Sequence, residues 1–317
     1  MKIVVGDRNL LPHRGLFESL VPEDATVSWH RRFDEDAIAA DLVDADVYVG
    51  GRVTPAMAEA GRGLALVHVA GAGTDKIAFD ALGSDTSVLT TSHHEDSIAE
   101  YVVSVAVLLR RGLIQQDRSL RSGVWATSVY DDLIPQPRTL RGARIGFVGF
   151  GNIGRRTWEL LRPFGCDGAA VTGRGTVDAE VDGLRWASDT SGLICLMTES
   201  DVVVVSTPLN SMTRGMIGTS ELHALGPDGI LINVARGPVV DEDALFDALS
   251  TETIAGAAVD VWYSYPDPHG RGEPSRLRFA DLTNVIMTPH SSGVTRDTFV
   301  GRVREIATNV CRFAARV

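Results

Sequence analysis

The chain has 317 residues, 44% hydrophobic and 22% charged, a composition that excludes collagen-like, disordered and disulfide-framework proteins. The length suits two domains, each able to bury a core without a structural metal. A formal charge of -11 leaves no basic surplus for nucleic acid or an anionic membrane, so neither is expected as a partner.

The first residues, MKIVVG, enter a β-branched run at 3–5 directly, and no segment reaches 18 uninterrupted apolar residues. Neither a targeting segment nor a membrane span is expected. Further short apolar runs follow at 47–49, 64–69, 145–148, 202–205, 230–234, 257–261 and 285–287, with helical patterns at 36–42, 153–164 and 241–249. Such runs suit parallel strands covered on both faces, and their alternation with helices predicts a doubly wound α/β fold. Residues 97–113 (SIAEYVVSVAVLLRRGL) are apolar nearly all round for about three turns, which predicts a helix buried between domains or at a subunit contact. The chain crosses between domains there. In the last segment, from 296, Phe299, Val303, Ile306, Val310 and Phe313 fall at helical spacing, which can return the chain to the first domain. Cys166, Cys195 and Cys311 are far apart; they suggest neither a zinc site nor a disulfide and fit a reducing cytoplasm.

Gly149-Phe150-Gly151-Asn152-Ile153-Gly154 stands directly after the strand-like ARIGFV and directly before a helical pattern, the context a dinucleotide fingerprint requires. The first glycine permits the tight turn, the second admits the pyrophosphate, and the helix start offers free amides and a positive dipole end. An acid about twenty residues on usually holds the adenosine ribose 2'-hydroxyl. Here Thr172, Gly173 and Arg174 end the second strand instead. A small polar residue followed by a guanidinium favours a 2'-phosphate, and so NADP(H) over NAD(H). The alternative reading of Arg174 is a solvated arginine in a chain whose only lysines are Lys2 and Lys76.

With these motifs in order, the chain resembles the D-isomer-specific 2-hydroxyacid dehydrogenase family, which includes formate dehydrogenases and glyoxylate/hydroxypyruvate reductases. The resemblance rests on VAGAGTDKI at 69–77, SIAEYVV, STPLN, LINVARGPVVDEDAL, AAVDVW and TPHSSG. It implies two doubly wound parallel-sheet domains: a Rossmann cofactor domain (97–290) inserted into a flavodoxin-like substrate domain (1–96 and 291–317). It implies hydride transfer between a nicotinamide and a small 2-keto or 2-hydroxy acid of D configuration, an anionic carboxylate substrate, and a homodimer formed through the cofactor domain.

Carried over residue by residue, the resemblance assigns the substrate carboxylate to the amides of Ala72 and Gly73. Arg236 takes the carboxylate-binding and carbonyl-polarising role, and His290 that of general acid. Thr207, Pro208, Ala235 and Asp260 fall on cofactor positions, although a strand-end structural acid is the alternative for Asp260. The residues support this independently, since Thr207, Arg236 and Asp260 each end an apolar run, and open α/β sheets bind ligands at strand carboxyl ends. His94, preceded by His93, stands where formate dehydrogenases carry a substrate-contacting asparagine. No surrounding pattern fixes a metal geometry, and no metal is expected. His13, His30, His68 and His223 read as ordinary surface or core histidines.

One departure matters. The family usually pairs its histidine with a glutamate, and here Tyr265 stands in that place. Formate dehydrogenases also lack this glutamate. A neutral phenol can orient the imidazole but not favour its charged form, so His290 is expected to titrate near the ordinary value of about 6.5, or lower if a closed cleft desolvates it. The longer segment that follows contains Asp267, His269 and Glu273, and reads as a solvated insertion rather than a substitute charge. Two rival functions remain open at this level: oxidation of formate or another compact anion, and a nucleotide-sensing corepressor resembling the C-terminal binding proteins.

Overall fold

Valine- and isoleucine-rich runs become strands here because helices cover both faces of each sheet, so inward and outward side chains are equally buried. The computed structural model describes residues 1–267 and 269–315. The last two residues of the segment assigned to the first domain therefore lie outside the described residues. The chain forms two compact units, Met1–His94 with the chain from Val294 onward, and Glu95–Gly293. Among the described residues no helix is long and apolar enough to cross a membrane.

The first unit is built on β1 (Lys2–Val5), β2 (Thr26–Trp29), β3 (Val47–Val49), β4 (Leu66–His68) and β5 (Ser87–Leu89), all parallel in the order β2-β1-β3-β4-β5. This is the flavodoxin-like order. Ile3 and Val5 face one layer, which the helix Arg296–Ala314 covers with Phe299, Val303, Ile306 and Val310. Val4 faces the other, with Ile38, Leu42, Met57 and Val67.

The second unit contains β6 (Arg144–Val148), β7 (Asp167–Val171), β8 (Trp186–Ser188), β9 (Val202–Val205), β10 (Ile230–Asn233), β11 (Gly256–Val259) and β12 (Val285–Met287). The order is β12-β11-β10-β9-β6-β7-β8, again parallel throughout. The sequence reverses direction between β6 and β9, the switch point at which such sheets bind dinucleotides.

Two expectations are corrected. The helix expected over 97–113 runs from Glu95 to Arg110. Gly112 takes the left-handed conformation at φ +59, and Leu113 opens a separate helix, Leu113–Arg121. Ile98, Val102, Val105 and Ala106 bury one face of the first of these helices against Ile145, Phe147, Val204 and Ile232 of the second unit's sheet. The apolar runs also missed β2, β5, β7 and β8. β2, β5 and β8 are edge strands with partly exposed residues, while β7 is an inner strand built from the small residues Gly168, Ala169 and Ala170, expected only from its place after the dinucleotide turn.

Candidate active site

The turn after β6 is built from missing side chains. Gly149 takes φ +92, and a Cβ there would lie 2.7 Å from the Thr207 amide nitrogen; only glycine meets both conditions. At Gly154 a Cβ would lie 2.8 Å from the Gly149 carbonyl oxygen, so this glycine seats the helix Asn152–Leu161 on the turn. A Cβ on Gly151 would meet nothing within 4 Å. Gly151 is also the N-cap and offers no side chain to the first-turn amides. The turn therefore leaves both the space and the unsatisfied donors that a pyrophosphate needs. Ile153 tucks half-buried against the core while Asn152 remains exposed.

The loop after β9 closes this turn from across the switch point. Ser206 donates its hydroxyl to the Gly149 carbonyl at 3.0 Å. Thr207 and Pro208 follow, with the Pro208 carbonyl accepting the Thr213 hydroxyl at 2.6 Å. On the far side, Thr172 starts a tight turn by accepting the Gly175 amide on its hydroxyl oxygen at 3.1 Å. Arg174 is exposed on that turn and pairs with no carboxylate among the described residues. Sequence reasoning missed Asp189, which follows β8. A Cβ on Gly175 would lie 3.1 Å from that of Asp189, so the neighbouring strand brings an acid to a turn whose own strand lacks one. Hydrogen bonds from the Ser191 hydroxyl and amide hold the Asp189 carboxyl below the ordinary range.

The other half of the site follows from register. Asn233 is level with Val259 and Val259 with Met287, so Arg236, Trp262 and His290 each stand three residues beyond one row of three adjacent strands. The Asn233 side chain shapes the first of these turns, accepting the Ala235 amide and donating to the Arg236 carbonyl. Ala235 is buried and Arg236 half-buried, one guanidinium nitrogen of Arg236 donating to the Ala235 carbonyl at 2.8 Å. Gly237 sits so close that a Cβ would lie 2.4 Å from the Trp262 carbonyl. The Trp262 indole donates to the Thr288 carbonyl at 2.8 Å, so the arginine turn and the histidine turn rest on the same tryptophan.

Asp260 is fully buried. One oxygen accepts the Thr288 hydroxyl at 2.6 Å and the Ser291 amide at 2.9 Å; the other accepts the Ser292 amide at 3.0 Å and the Ser292 hydroxyl. These donors stand on both sides of His290, whose φ is +56. Tyr101 donates to the Thr288 hydroxyl at 2.8 Å, and burial pushes its phenol up to about 12, which keeps it a donor at working pH. Asp260 thus occupies its carboxylate in holding the histidine turn, the strand-end structural alternative set out above for this residue. Tyr101, Thr288 and Ser292 carried no sequence signal of this role. The Tyr265 hydroxyl lies 2.8 Å from His290 Nδ1, with half of Tyr265 exposed. Asp267 spends its carboxylate on the amides of His269 and Arg271, and Glu273 is exposed; neither bonds to His290.

In the first unit, the loop after β4 presents the amides of Ala72 and Gly73 without a protein acceptor among the described residues. His94 Nδ1 is 3.1 Å from an Arg302 guanidinium nitrogen, and His93 Nε2 is 3.0 Å from Glu305, so both histidines engage the C-terminal helix. His68 is buried beside the Asn309 amide, and His30 pairs with Asp41. Among the described residues no cluster of three metal-ligating side chains occurs.

Residues 103–292 match the family described as D-isomer specific 2-hydroxyacid dehydrogenase, NAD binding domain. The chain belongs to this family. The family and the relatives below point to NAD(P)-dependent hydride transfer on 2-hydroxy or 2-keto acids, with formate dehydrogenases also among those relatives. The chain is 32% identical over 259 residues to the glycerate dehydrogenase of Methylorubrum extorquens, covering 80% of this chain and 76% of that enzyme. It is 30% identical to the mitochondrial formate dehydrogenase of Solanum tuberosum, covering 77% of this chain and 62% of that enzyme. The crystal structure of an NADPH-dependent glyoxylate/hydroxypyruvate reductase from Sinorhizobium meliloti, in complex with NADP and malonate, superposes with a TM-score of 0.78 at 26% identity, covering 99% of this chain and 93% of that one.

Proposed function

We propose that the protein reduces a small 2-keto acid to the D-2-hydroxy acid, and runs the reverse oxidation, with NADP(H) preferred over NAD(H). The observation that carries this reading is the row of Arg236 and His290 beyond level residues of parallel strands, with Tyr265 on the far nitrogen of the imidazole. The nicotinamide, when bound at the turn after β6, supplies or accepts the hydride. Arg236 fits the substrate carboxylate with one edge of its planar fork and polarises the carbonyl with another donor. The Ala72 and Gly73 amides are assigned to the carboxylate as neutral donors. His290 passes the proton through Nε2, while the Tyr265 hydroxyl fixes the ring through Nδ1.

The NADP(H) preference is supported by the exposed, unpaired Arg174 and opposed by Asp189 nearby. Its hydrogen bonds to Ser191 draw that carboxylate toward its own turn. We further propose a homodimer, supported by exposed apolar side chains gathered in one segment of the second unit. Val124, Trp125, Val129, Tyr130 and Leu133 are 56% to 91% exposed, more than a lone soluble chain needs to show. A reducing cytoplasm suits the three unpaired cysteines.

The test is Arg236→Lys. Its charge is retained but its fork is lost, so kcat/KM toward the best 2-keto acid should fall about 100- to 1000-fold, equivalent to roughly 3 to 4 kcal/mol. Near-normal activity would remove Arg236 from this role. The substrate panel is glyoxylate, hydroxypyruvate, pyruvate and phenylpyruvate. Formate with NAD(P) forms a second arm, because a neutral partner on His290 suits a reaction in which no alcohol proton must be removed. Inactivity throughout, with nucleotide still bound, would favour a nucleotide sensor.

A further inference from the structure

The first unit carries a second charged constellation at the carboxyl edge of its own sheet. β1 and β2 are parallel neighbours, so the segments leaving them emerge side by side. Asp7 accepts the Asn9 amide at 2.9 Å and starts a short turn of 3-10 helix, Arg8–His13. Arg31 stands two residues beyond β2. The helix Arg296–Ala314 begins at the same place, its first turn capped by the Thr295 hydroxyl. The His13 ring stacks on Phe299 with centroids 6.3 Å apart, joining the turn to the helix. Together these segments form a cavity of about 640 Å³ lined by Arg8, Asn9, His13, Arg31, Thr295 and Arg296 among others.

The charge in this cavity is one-sided. No aspartate or glutamate lines it, although the chain holds 41 acids against 30 lysines and arginines. Among the described residues Arg8, Arg31 and Arg296 form no ion pair, while Arg14 and Arg62 of the same unit pair with Glu18 and Glu59. Burial pushes the carboxyl of Asp7 upward against the opposing pull of the Asn9 amide, Arg302 and Arg8, and Asp7 does not line the cavity. Guanidinium forks match tetrahedral and planar oxyanions bidentately. The first turn of a 19-residue helix adds a positive dipole end to the same cavity.

We propose that this pocket binds a small multiply charged oxyanion, a phosphate or phosphate monoester, at a site distinct from the Arg236 carboxylate site. Guanidiniums lining one cavity repel one another, and a dianion relieves that repulsion more than a monoanion does. The site therefore discriminates by charge as well as shape. It makes no demand on the cofactor turn or on His290, so it stands independently of the proposed reaction.

The experiment is calorimetric titration of the full chain at fixed ionic strength, with saturating NADP+ filling the cofactor turn. Inorganic phosphate and β-glycerophosphate are the two ligand arms, and acetate is the monoanion control. The expected result is one site per chain for the dianions and binding of acetate at least tenfold weaker. Arg8→Gln, Arg31→Gln and Arg296→Gln should each raise Kd fivefold or more, and the corresponding lysine variants should recover part of the loss. Arg62→Gln should change nothing. Tighter binding of β-glycerophosphate than of phosphate identifies a phosphorylated metabolite as the ligand class, and the reverse identifies free phosphate. Absence of saturable binding, equal weakening by Arg62→Gln, or binding abolished by Arg236→Gln but untouched by the three pocket substitutions would overturn the proposal.

Discussion

Of the turns at the carboxyl edge of the second unit's sheet that hold a residue at positive φ, two do so by opposite means. After β6 it is Gly149 at φ +92; after β12 it is His290 at φ +56. Glycine adopts that region at no steric cost, whereas a residue with a Cβ gives up about 1 to 2 kcal/mol there. The histidine turn offsets this with Asp260, whose buried carboxylate takes four hydrogen bonds from Thr288, Ser291 and Ser292. A ligand-binding turn that needs empty space is made by leaving side chains out. One that needs a particular imidazole in a particular place is made by adding a distant acid.

Gly149→Ala should break the first turn with the largest effect. The methyl group would meet the Thr207 backbone at 2.7 Å in a left-handed conformation, costing about 3 kcal/mol or more. Thermal unfolding should show the loss of stability, and fluorescence titration with NADPH the loss of binding. A variant that binds normally would show that the turn can relax.

Asp260→Asn is the matching test of the second turn. An amide keeps one acceptor oxygen and turns an NH2 toward groups that donate, leaving buried donors unmatched at a cost of about 3 kcal/mol. Stability and kcat should both fall, while the NADPH dissociation constant stays within about threefold because the glycine turn is untouched. A nucleotide affinity that collapses while kcat is spared would instead make Asp260 a cofactor contact.

Arg174→Ala should act on the cofactor side alone. It should weaken NADPH by about 1 to 3 kcal/mol, the range for a lost charge-assisted contact, and NADH far less. Equal losses, or a parent enzyme that prefers NADH, would refute the preference and point to Asp189 as the determinant. Adding Asp189→Asn should then improve NADPH binding.

Tyr265→Glu should give the smallest change, visible only against pH. A carboxylate beside the ring favours the imidazolium, so the histidine keeps its proton to higher pH. Reduction needs that proton and declines as pH rises through the histidine pKa, so its falling limb should move upward. Oxidation needs the neutral ring, and its rising limb should move upward as well. The profiles of kcat/KM in both directions report this, and limbs that do not move would show that the new carboxylate does not reach His290.

By itself the sequence determined the features whose cause is local. The parallel α/β architecture is written in short β-branched runs, and the turn after β6 in a glycine pattern standing between a strand and a helix, although the close approach of Thr207 to Gly149 is a tertiary contact. The placement of Arg236 and His290 just past apolar runs is equally local. Tertiary structure decided what depends on alignment between strands. Register brought the turns that carry Arg236, Trp262 and His290 to the ends of adjacent strands, and packing gave Asp260, thirty residues before His290, the task of holding its turn. It also brought Asp189 beside a turn whose own strand ends without an acid, and drew Arg8, Arg31 and Arg296 into one cavity. Hydrogen bonds and charges act through space across a few ångströms, and no spacing along the chain records which strand ends become neighbours.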